Sequence, residues 1–238
     1  MKSKMLRPLV DIFMTVLLLL SMSYELIGPA FAVFSEKVLG FSFDGYELGP
    51  IFHEIVGGLL VIIFFWHLWL NRWWLKNLFK GKYNASRFFL TLVNFLIIAD
   101  VFILLVSGIF MSRIISLPFE EGMDYARAGH VVVSYWGYIF MSFHAGMNWN
   151  IFSAMMFSRR PKKNSVMPHV IAVALMLWGV SAFQRRSIAE YLFMNSQFVF
   201  FDFEEPIIFF LLDYLAIFIL FACAGNYFMK ALRSFERA

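Results

Sequence analysis

Cysteine and charge are both scarce in this chain of 238 residues. A single cysteine, Cys223, excludes a disulfide framework and any zinc or iron–sulfur site built from several of the chain's own thiolates. Charged residues make up 15% of the chain and hydrophobic residues 61%, whereas soluble domains have about 25% charged and about half apolar residues. The mean hydropathy is +0.72. These values exclude an ordinary soluble domain and indicate a membrane protein.

Two further absences limit the classes of function that the chain can have. The chain has neither a glycine-rich nucleotide-binding loop nor a recognisable pair of nucleophile and base. It also has no low-complexity segment and no linker that is long enough to set apart a soluble domain. We therefore do not expect a stand-alone enzyme with nucleotide or nucleophilic chemistry.

Six apolar stretches are each long enough to cross a membrane as a helix, which takes about 20 residues. They are Leu9–Val33, Ile51–Leu70, Phe88–Met111, Gly129–Phe157, Val166–Phe183 and Pro206–Met229. The sequence thus predicts an all-α membrane protein with six transmembrane helices.

Lysine and arginine are distributed unevenly around these stretches. Fifteen of the 20 lie at the two termini, between the second and third stretches, or between the fourth and fifth. Basic residues mark the cytoplasmic ends of transmembrane helices, so both termini are expected in the cytoplasm. This distribution also accounts for the net charge of +4, which therefore does not indicate a nucleic acid partner.

Four of the five histidines form two pairs with the same spacing. His53 and His67 lie on the second predicted helix, and His130 and His144 lie on the fourth, each pair 14 residues apart. At about 100° per residue, 14 steps return a side chain to within about 40° of its starting direction, about 21 Å further along the helix. One metal ion cannot bridge that distance, so two sites stacked across the membrane are expected. His169 lies outside this pattern.

The second and fourth predicted helices run in the same direction, because one span lies between them. His53 should therefore meet His130 near the outer surface, and His67 should meet His144 near the inner surface. Two imidazoles that face each other across a helix bundle are suitable axial ligands for a six-coordinate haem iron. We therefore expect the four histidines to bind two haems.

Several neighbours of the histidines are candidate haem contacts. Gly57, Ser134 and Gly137 lie one or two turns from a ligand and would let a porphyrin approach the helix backbone, although small residues also favour plain helix packing. Arg127 near the outer pair and Arg72 near the inner pair could bind haem propionates.

The two histidine helices also have matching ends. Each has an asparagine four residues after its second histidine, Asn71 and Asn148, with a tryptophan close by. Residues 1–157 are therefore expected to form a four-helix core of two repeated helix pairs, and residues 158–238 to add two helices. The outer connection Gln184–Glu205 alternates aromatic and charged residues, which favours an interfacial segment; a binding site for a partner is the alternative.

The residues around the histidine pairs form a motif that recurs along the chain. It reads HEIVGG at 53–58 with WHLWLNRWW at 66–74, and FHAGMNW at 143–149. Over about residues 9–157, the chain resembles the flavinylation-associated cytochrome family of bacterial and archaeal membrane proteins. The resemblance implies a b-type di-haem electron carrier in a prokaryotic cell membrane, acting as a subunit of an oxidoreductase system. It also implies an extracytoplasmic flavoprotein or other redox protein as partner; a quinol or cytoplasmic-side donor would supply electrons, and a quinone is a further candidate cofactor.

Acidic residues within the apolar stretches leave a second function open. Glu25, Asp100 and Asp213 could line the path of a proton-coupled transporter or channel, with the histidines as proton relays. Asp100 could instead orient a ligand imidazole or carry protons to a quinone, while Asp11 could simply reach water. The repeated 14-residue spacing favours electron transfer, because a proton relay has no need of it.

Overall fold

The computed structural model describes residues 2–40, 45–115, 122–156, 167–196 and 198–237, and within these ranges it contains helices and no strand. The all-α expectation is therefore confirmed. The helices are α1 (Lys2–Met22), α2 (Tyr24–Phe34), α3 (Gly45–Leu70), α4 (Arg72–Lys76), α5 (Ala85–Met111), α6 (Met123–Met147), α7 (Trp149–Met156), α8 (Met167–Arg185), α9 (Ile188–Leu192) and α10 (Ile207–Phe235). A π-helical turn, Ser35–Leu39, extends α2. The predicted helix ends at Phe157 and Val166 lie outside the described residues.

Three of these helices are long and apolar enough to cross a membrane on their own: Glu47–Leu70 in α3, all of α5 and all of α10. The bent pair of α1 and α2 makes a fourth candidate if it is counted as one span, and the apolar part of α8 is shorter. Length and composition therefore support a multi-pass membrane protein, and the six-span arrangement remains a prediction.

The first apolar stretch is interrupted, although the sequence predicts one continuous helix over Leu9–Val33. The chain breaks at Ser23, and the axes of α1 and α2 differ by 81°. The hydroxyls of Ser21 and Ser23 donate to carbonyls three residues earlier, at 2.8 and 3.0 Å, and such bonds compete with the helical ladder. Because the chain breaks at Ser23, Ser21 lies in the last turn of α1. Carbonyl groups in that turn have no amide partner in their own helix.

Helix α6 has 25 residues, yet it is not among the apolar spans because polar and aromatic side chains are frequent along it. It lies between α5 and α10. Tyr135 and Tyr138 of α6 are fully buried, and their hydroxyls bond the hydroxyl and the backbone carbonyl of Tyr214 in α10. These side chains face protein, which explains why α6 lacks the apolar surface of a lipid-facing helix.

The helices pack in two groups. Helix α3 packs on α1 and α2, whereas α6 packs on α5 and α10, and α8 packs on α10. Helices α3 and α6 are barely in backbone contact. Glu54 of α3 bridges the groups at one end, because its carboxylate accepts hydrogen bonds from the Ser112 hydroxyl at 2.7 Å and the Arg113 amide at 2.7 Å, just after α5.

The outer connection is more firmly attached than a purely interfacial segment. Ile188 and Tyr191 of α9 are buried, and the Tyr191 ring stacks on Tyr135 with ring centres 4.6 Å apart. Arg186 donates to Glu205 with both terminal nitrogens, at 2.6 and 2.7 Å. Burial alone would lower the pKa of Arg186, but its bonds to Glu205 and the charge of nearby Asp213 raise that pKa above its ordinary value.

Candidate functional site

The rings of His53 and His130 lie together, one from each helix group. Their centres are 6.0 Å apart and their planes meet at 69°. The ring of Tyr24, just after the break between α1 and α2, packs on His53 with ring centres 4.7 Å apart. Helices α3 and α6 therefore contribute one imidazole each to a common space, which we call the outer pair.

Hydrogen bonds fix the tautomer of both rings in the outer pair. His53 Nδ1 donates to the carbonyl oxygen of Ser21, 2.9 Å away, which is the carbonyl left free by the break at Ser23. His130 Nδ1 lies 2.8 Å from Ser107 Oγ, and that hydroxyl also lies 2.7 Å from the Ile103 carbonyl and 3.2 Å from the Leu104 carbonyl. When the hydroxyl donates to a carbonyl of its own helix, His130 Nδ1 is the donor in its contact with Ser107. Each ring consequently keeps a lone pair on Nε2, the atom with which a neutral imidazole binds a metal.

The outer pair fits a haem iron between its rings. Two metal–nitrogen bonds of about 2 Å, with roughly 1 Å from each nitrogen to its ring centre, place the ring centres about 6 Å apart. The observed separation is 6.0 Å. A Cβ atom added at Gly57 would meet nothing within 4 Å, so there is open space beside α3 one turn from His53. Gly108 of α5 lies beside the His130 ring, where an added Cβ would be in ordinary van der Waals contact, 3.7 Å from His130 Cε1.

His67 and His144 form the inner pair, at the opposite end of the same two helices. They lie near enough for their charges to interact. His67 Nδ1 lies 2.8 Å from Asp11 Oδ1 of α1. The Nδ1 atom of His144 is buried and has no hydrogen-bond partner. A buried imidazole nitrogen without a partner is costly unless a further group, such as a metal, uses its lone pair.

Asn71 and Asn148 end the two ligand helices in the same way. Each side-chain amide donates to the carbonyl of the histidine four residues earlier, at 2.9 and 3.0 Å. The same nitrogen lies 3.3 Å from Nε2 of that histidine in both cases. After each asparagine a short helix follows, α4 or α7. The matching ends predicted from the sequence thus have matching local structure.

Gly137 does not leave space for a ligand. A Cβ atom there would lie 2.0 Å from Asp100 Oδ2, because the Asp100 carboxyl of α5 occupies the slot over the glycine. Asp100 is 5% exposed, and Oδ2 has no hydrogen-bond partner. Asp100 therefore packs against α6 at a level between the two histidine pairs. The contact with a ligand imidazole that we expected of Asp100 is made instead by Ser107, at His130.

The other side chains predicted to contact haem make contacts with neighbouring groups of the protein. The guanidinium of Arg72 stacks on the Trp69 ring at 4.6 Å and donates to the Trp69 carbonyl. The guanidinium of Arg127 lies 5.6 Å from the ring centre of Phe198 in the outer connection. The Ser134 hydroxyl donates to the carbonyl of Val131 in its own helix at 2.8 Å. Roles for these residues in binding haem remain predictions.

Sequence reasoning overlooked the residues that hold the rings. Ser21 and Ser107 fix the outer pair, and Asp11, which we expected to reach water, contacts His67. One signal was available: a serine lies near the outer end of the helix that precedes each ligand helix. The direction in which each serine faces depends on how the helices rotate against one another, which the sequence pattern does not give.

The described part of the chain has no group of three or more His, Cys, Asp or Glu side chains arranged to hold a metal ion. No protein-family model matches the chain, and no curated protein or solved structure matches it significantly.

Proposed function

We propose that the chain is a membrane-embedded di-haem electron carrier of the b type. It passes electrons between a quinol or cytoplasmic-side donor and an extracytoplasmic, flavin-bearing protein. The observation that carries the proposal is the outer pair, in which the ring centres of His53 and His130 lie 6.0 Å apart and both Nδ1 atoms have hydrogen-bond partners. That geometry leaves two Nε2 lone pairs available for one iron.

The repeated histidine spacing along the two helices supports a second haem site. His67 and His144 follow at the same 14-residue distance, about 21 Å along each helix. Haem bound at each pair would supply one-electron chemistry. The chain's own residues hold the rings, and α3 and α6 make few backbone contacts with each other.

We further propose six membrane spans, formed by α1, α3, α5, α6, α8 and α10, in a prokaryotic cell membrane. The basic residues at both termini and after α3 support a cytoplasmic location for those ends. In this arrangement α2 lies across the outer end of α1, because it departs from α1 at 81°. Helix α6 crosses inside the protein, which would accommodate its polar side chains.

The transporter alternative has less support. Asp213 is engaged by Arg185 at 2.7 Å, by Arg186 at 2.9 Å and by the Trp178 indole at 2.9 Å, so its charge is compensated within the protein. Asp100 packs against Gly137 instead of facing an open path.

Absorption spectra of the purified protein, oxidised and dithionite-reduced, test the proposal directly. We expect the spectrum of low-spin, bis-histidine haem b with two haems per chain by pyridine haemochrome assay. His53→Ala and His67→Ala should each remove about half of the haem absorbance, because each pair holds its own iron. His169→Ala is the matched control, since this histidine lies outside both pairs, and it should retain both haems.

A chain that is folded in detergent and free of haem after expression with ample haem supply would refute the proposal. Retention of two haems by both the His53 and the His67 variants would refute the assignment of ligands.

A further inference from the structure

We propose that Asp11 makes the inner site the low-potential site, so that electrons move outward from the inner pair to the outer pair. This inference rests on the proposed function and adds the direction of flow to it. The observation behind it is a difference between the two pairs in what touches the ligand rings.

A carboxylate touches a ligand ring of the inner pair. Asp11 Oδ1 lies 2.8 Å from His67 Nδ1, and Oδ1 itself is shielded from solvent although the Asp11 side chain is 37% exposed. Oδ1 accepts no well-aligned hydrogen bond in this contact. Within the described residues, His67 is the one ion-pair partner of Asp11. The Asp11 charge also reaches His144.

Neutral groups touch the rings of the outer pair. The Ser21 carbonyl and the Ser107 hydroxyl occupy the two Nδ1 atoms, so no carboxylate can bind there. Glu25 and Glu54 lie near His53, but Glu54 is held by the Ser112 hydroxyl and by two backbone amides. The charge of Arg113 further offsets the charge of Glu54.

A negative charge beside a ligand imidazole stabilises the oxidised metal, because that form carries one more positive charge. The effect is strong where the medium has a low dielectric constant. Asp11 therefore lowers the reduction potential of the inner site relative to the outer site. With haem bound at both sites, one electron would pass from the inner site to the outer site. A quinol or cytoplasmic-side donor would be the reductant of the inner site, and an extracytoplasmic flavin would be the oxidant of the outer site.

Potentiometric titration of the purified holoprotein tests the inference. His53→Ala should retain the inner haem and His67→Ala the outer haem, which assigns each midpoint potential to a site. We expect the lower potential in the His53 variant. In the otherwise unchanged chain, Asp11→Asn should move the lower potential upward and leave the higher one in place. Glu190→Gln is the matched control, since it removes a negative charge on the exposed side of α9, and both potentials should stay unchanged.

A higher potential at the inner site than at the outer site would overturn the inference and leave the di-haem proposal standing. So would an unchanged lower potential in Asp11→Asn. If Asp11→Asn prevents folding, the inference is tested by the two histidine variants alone, through which of them has the lower midpoint potential. A preparation without bis-histidine haem would instead refute the proposed function, and this inference with it.

Discussion

At the scale of single residues, hydrogen bonds decide which nitrogen of each outer imidazole is free. When the Ser107 hydroxyl donates to the Ile103 carbonyl of its own helix, its oxygen accepts a hydrogen bond from His130 Nδ1 on another helix. Removal of a side chain that hydrogen-bonds a metal-ligating imidazole typically changes metal affinity by about 10- to 100-fold.

Ser107→Ala should therefore weaken haem binding at the outer pair by about 10-fold and leave the inner pair unaffected. The substitution removes the acceptor that fixes the His130 ring, without a change in helix length or charge. Haem transfer to apomyoglobin, followed spectroscopically, measures the loss. Ser142→Ala is the matched control, because the buried Ser142 hydroxyl bonds the Tyr138 carbonyl of its own helix. Equal haem loss from the two variants would contradict the role assigned to Ser107.

A second contact at this scale is the fit of Asp100 over Gly137. Gly137→Ala places a methyl group 2.0 Å from Asp100 Oδ2, so the carboxyl must move, and we expect a loss of about 1–3 kcal/mol of stability. Adding Asp100→Ala removes the clash and also a buried carboxyl oxygen that lacks a partner. Thermal unfolding of the two single variants and the double variant should therefore show strong coupling. Additive losses would mean that the two side chains do not share this slot.

At the scale of helices, close approach is made possible by glycine. A Cβ atom at Gly146 would lie 1.8 Å from the carbonyl oxygen of Ala222, and one at Gly225 would lie 2.2 Å from that of Phe143. Helices α6 and α10 thus meet backbone to backbone, as small residues allow in membrane proteins. The contact with α10 thereby fixes α6 on the side away from α3.

Gly146→Ala should lower the thermal unfolding midpoint markedly, because a backbone carbonyl cannot rotate away as a side chain can. We expect the inner haem to be released first, since Gly146 lies two residues after His144. Fluorescence-detected size exclusion after heating, with haem absorbance recorded on the same column, separates the two effects. Gly58→Ala is the control: a Cβ there meets nothing within 4 Å, so alanine should be neutral or stabilise α3 by up to about 1 kcal/mol. Equal stability of the two variants would exclude close α6–α10 contact.

The helices themselves were largely predictable, because long apolar runs and the histidine spacing are local signals. The end of α3 at Leu70 agrees with the predicted boundary, and Asn71 and Asn148 mark matching helix ends. The break at Ser23 was missed because apolar residues continue on both sides of it, while the competing serine bonds leave no trace in hydropathy. The contacts of Asp11 and Ser107 were missed because they depend on the rotation of one helix against another.

At the scale of the whole molecule, α3 and α6 make few backbone contacts across the space between them, and the two helix groups meet through side chains such as Phe64 of α3. The outer pair spans this space, with His53 in one group and His130 in the other. Glu54 crosses the same space, since it follows His53 in α3 and binds the chain just after α5, the helix that carries Ser107. The separation of the His53 and His130 rings therefore depends on the contact that Glu54 makes with the chain after α5, although neither ring takes part in it.

Glu54→Gln should weaken haem binding at the outer pair and spare the inner pair. Its amide keeps one oxygen but turns an N–H₂ group toward donors that need an acceptor, namely the Arg113 and Ile114 amides and the Ser112 hydroxyl. Hydrogen bonds to a charged group are worth about 1.5–3 kcal/mol each when well buried, so a partly exposed cluster such as this one should lose about 1–2 kcal/mol. Glu47→Gln is the matched control on the same helix, because Glu47 is exposed in the first turn of α3. Thermal unfolding together with haem transfer from each site measures both effects. If Glu54→Gln lowers stability while both haems are retained equally well, Glu54 holds the helix groups together without setting the distance between His53 and His130.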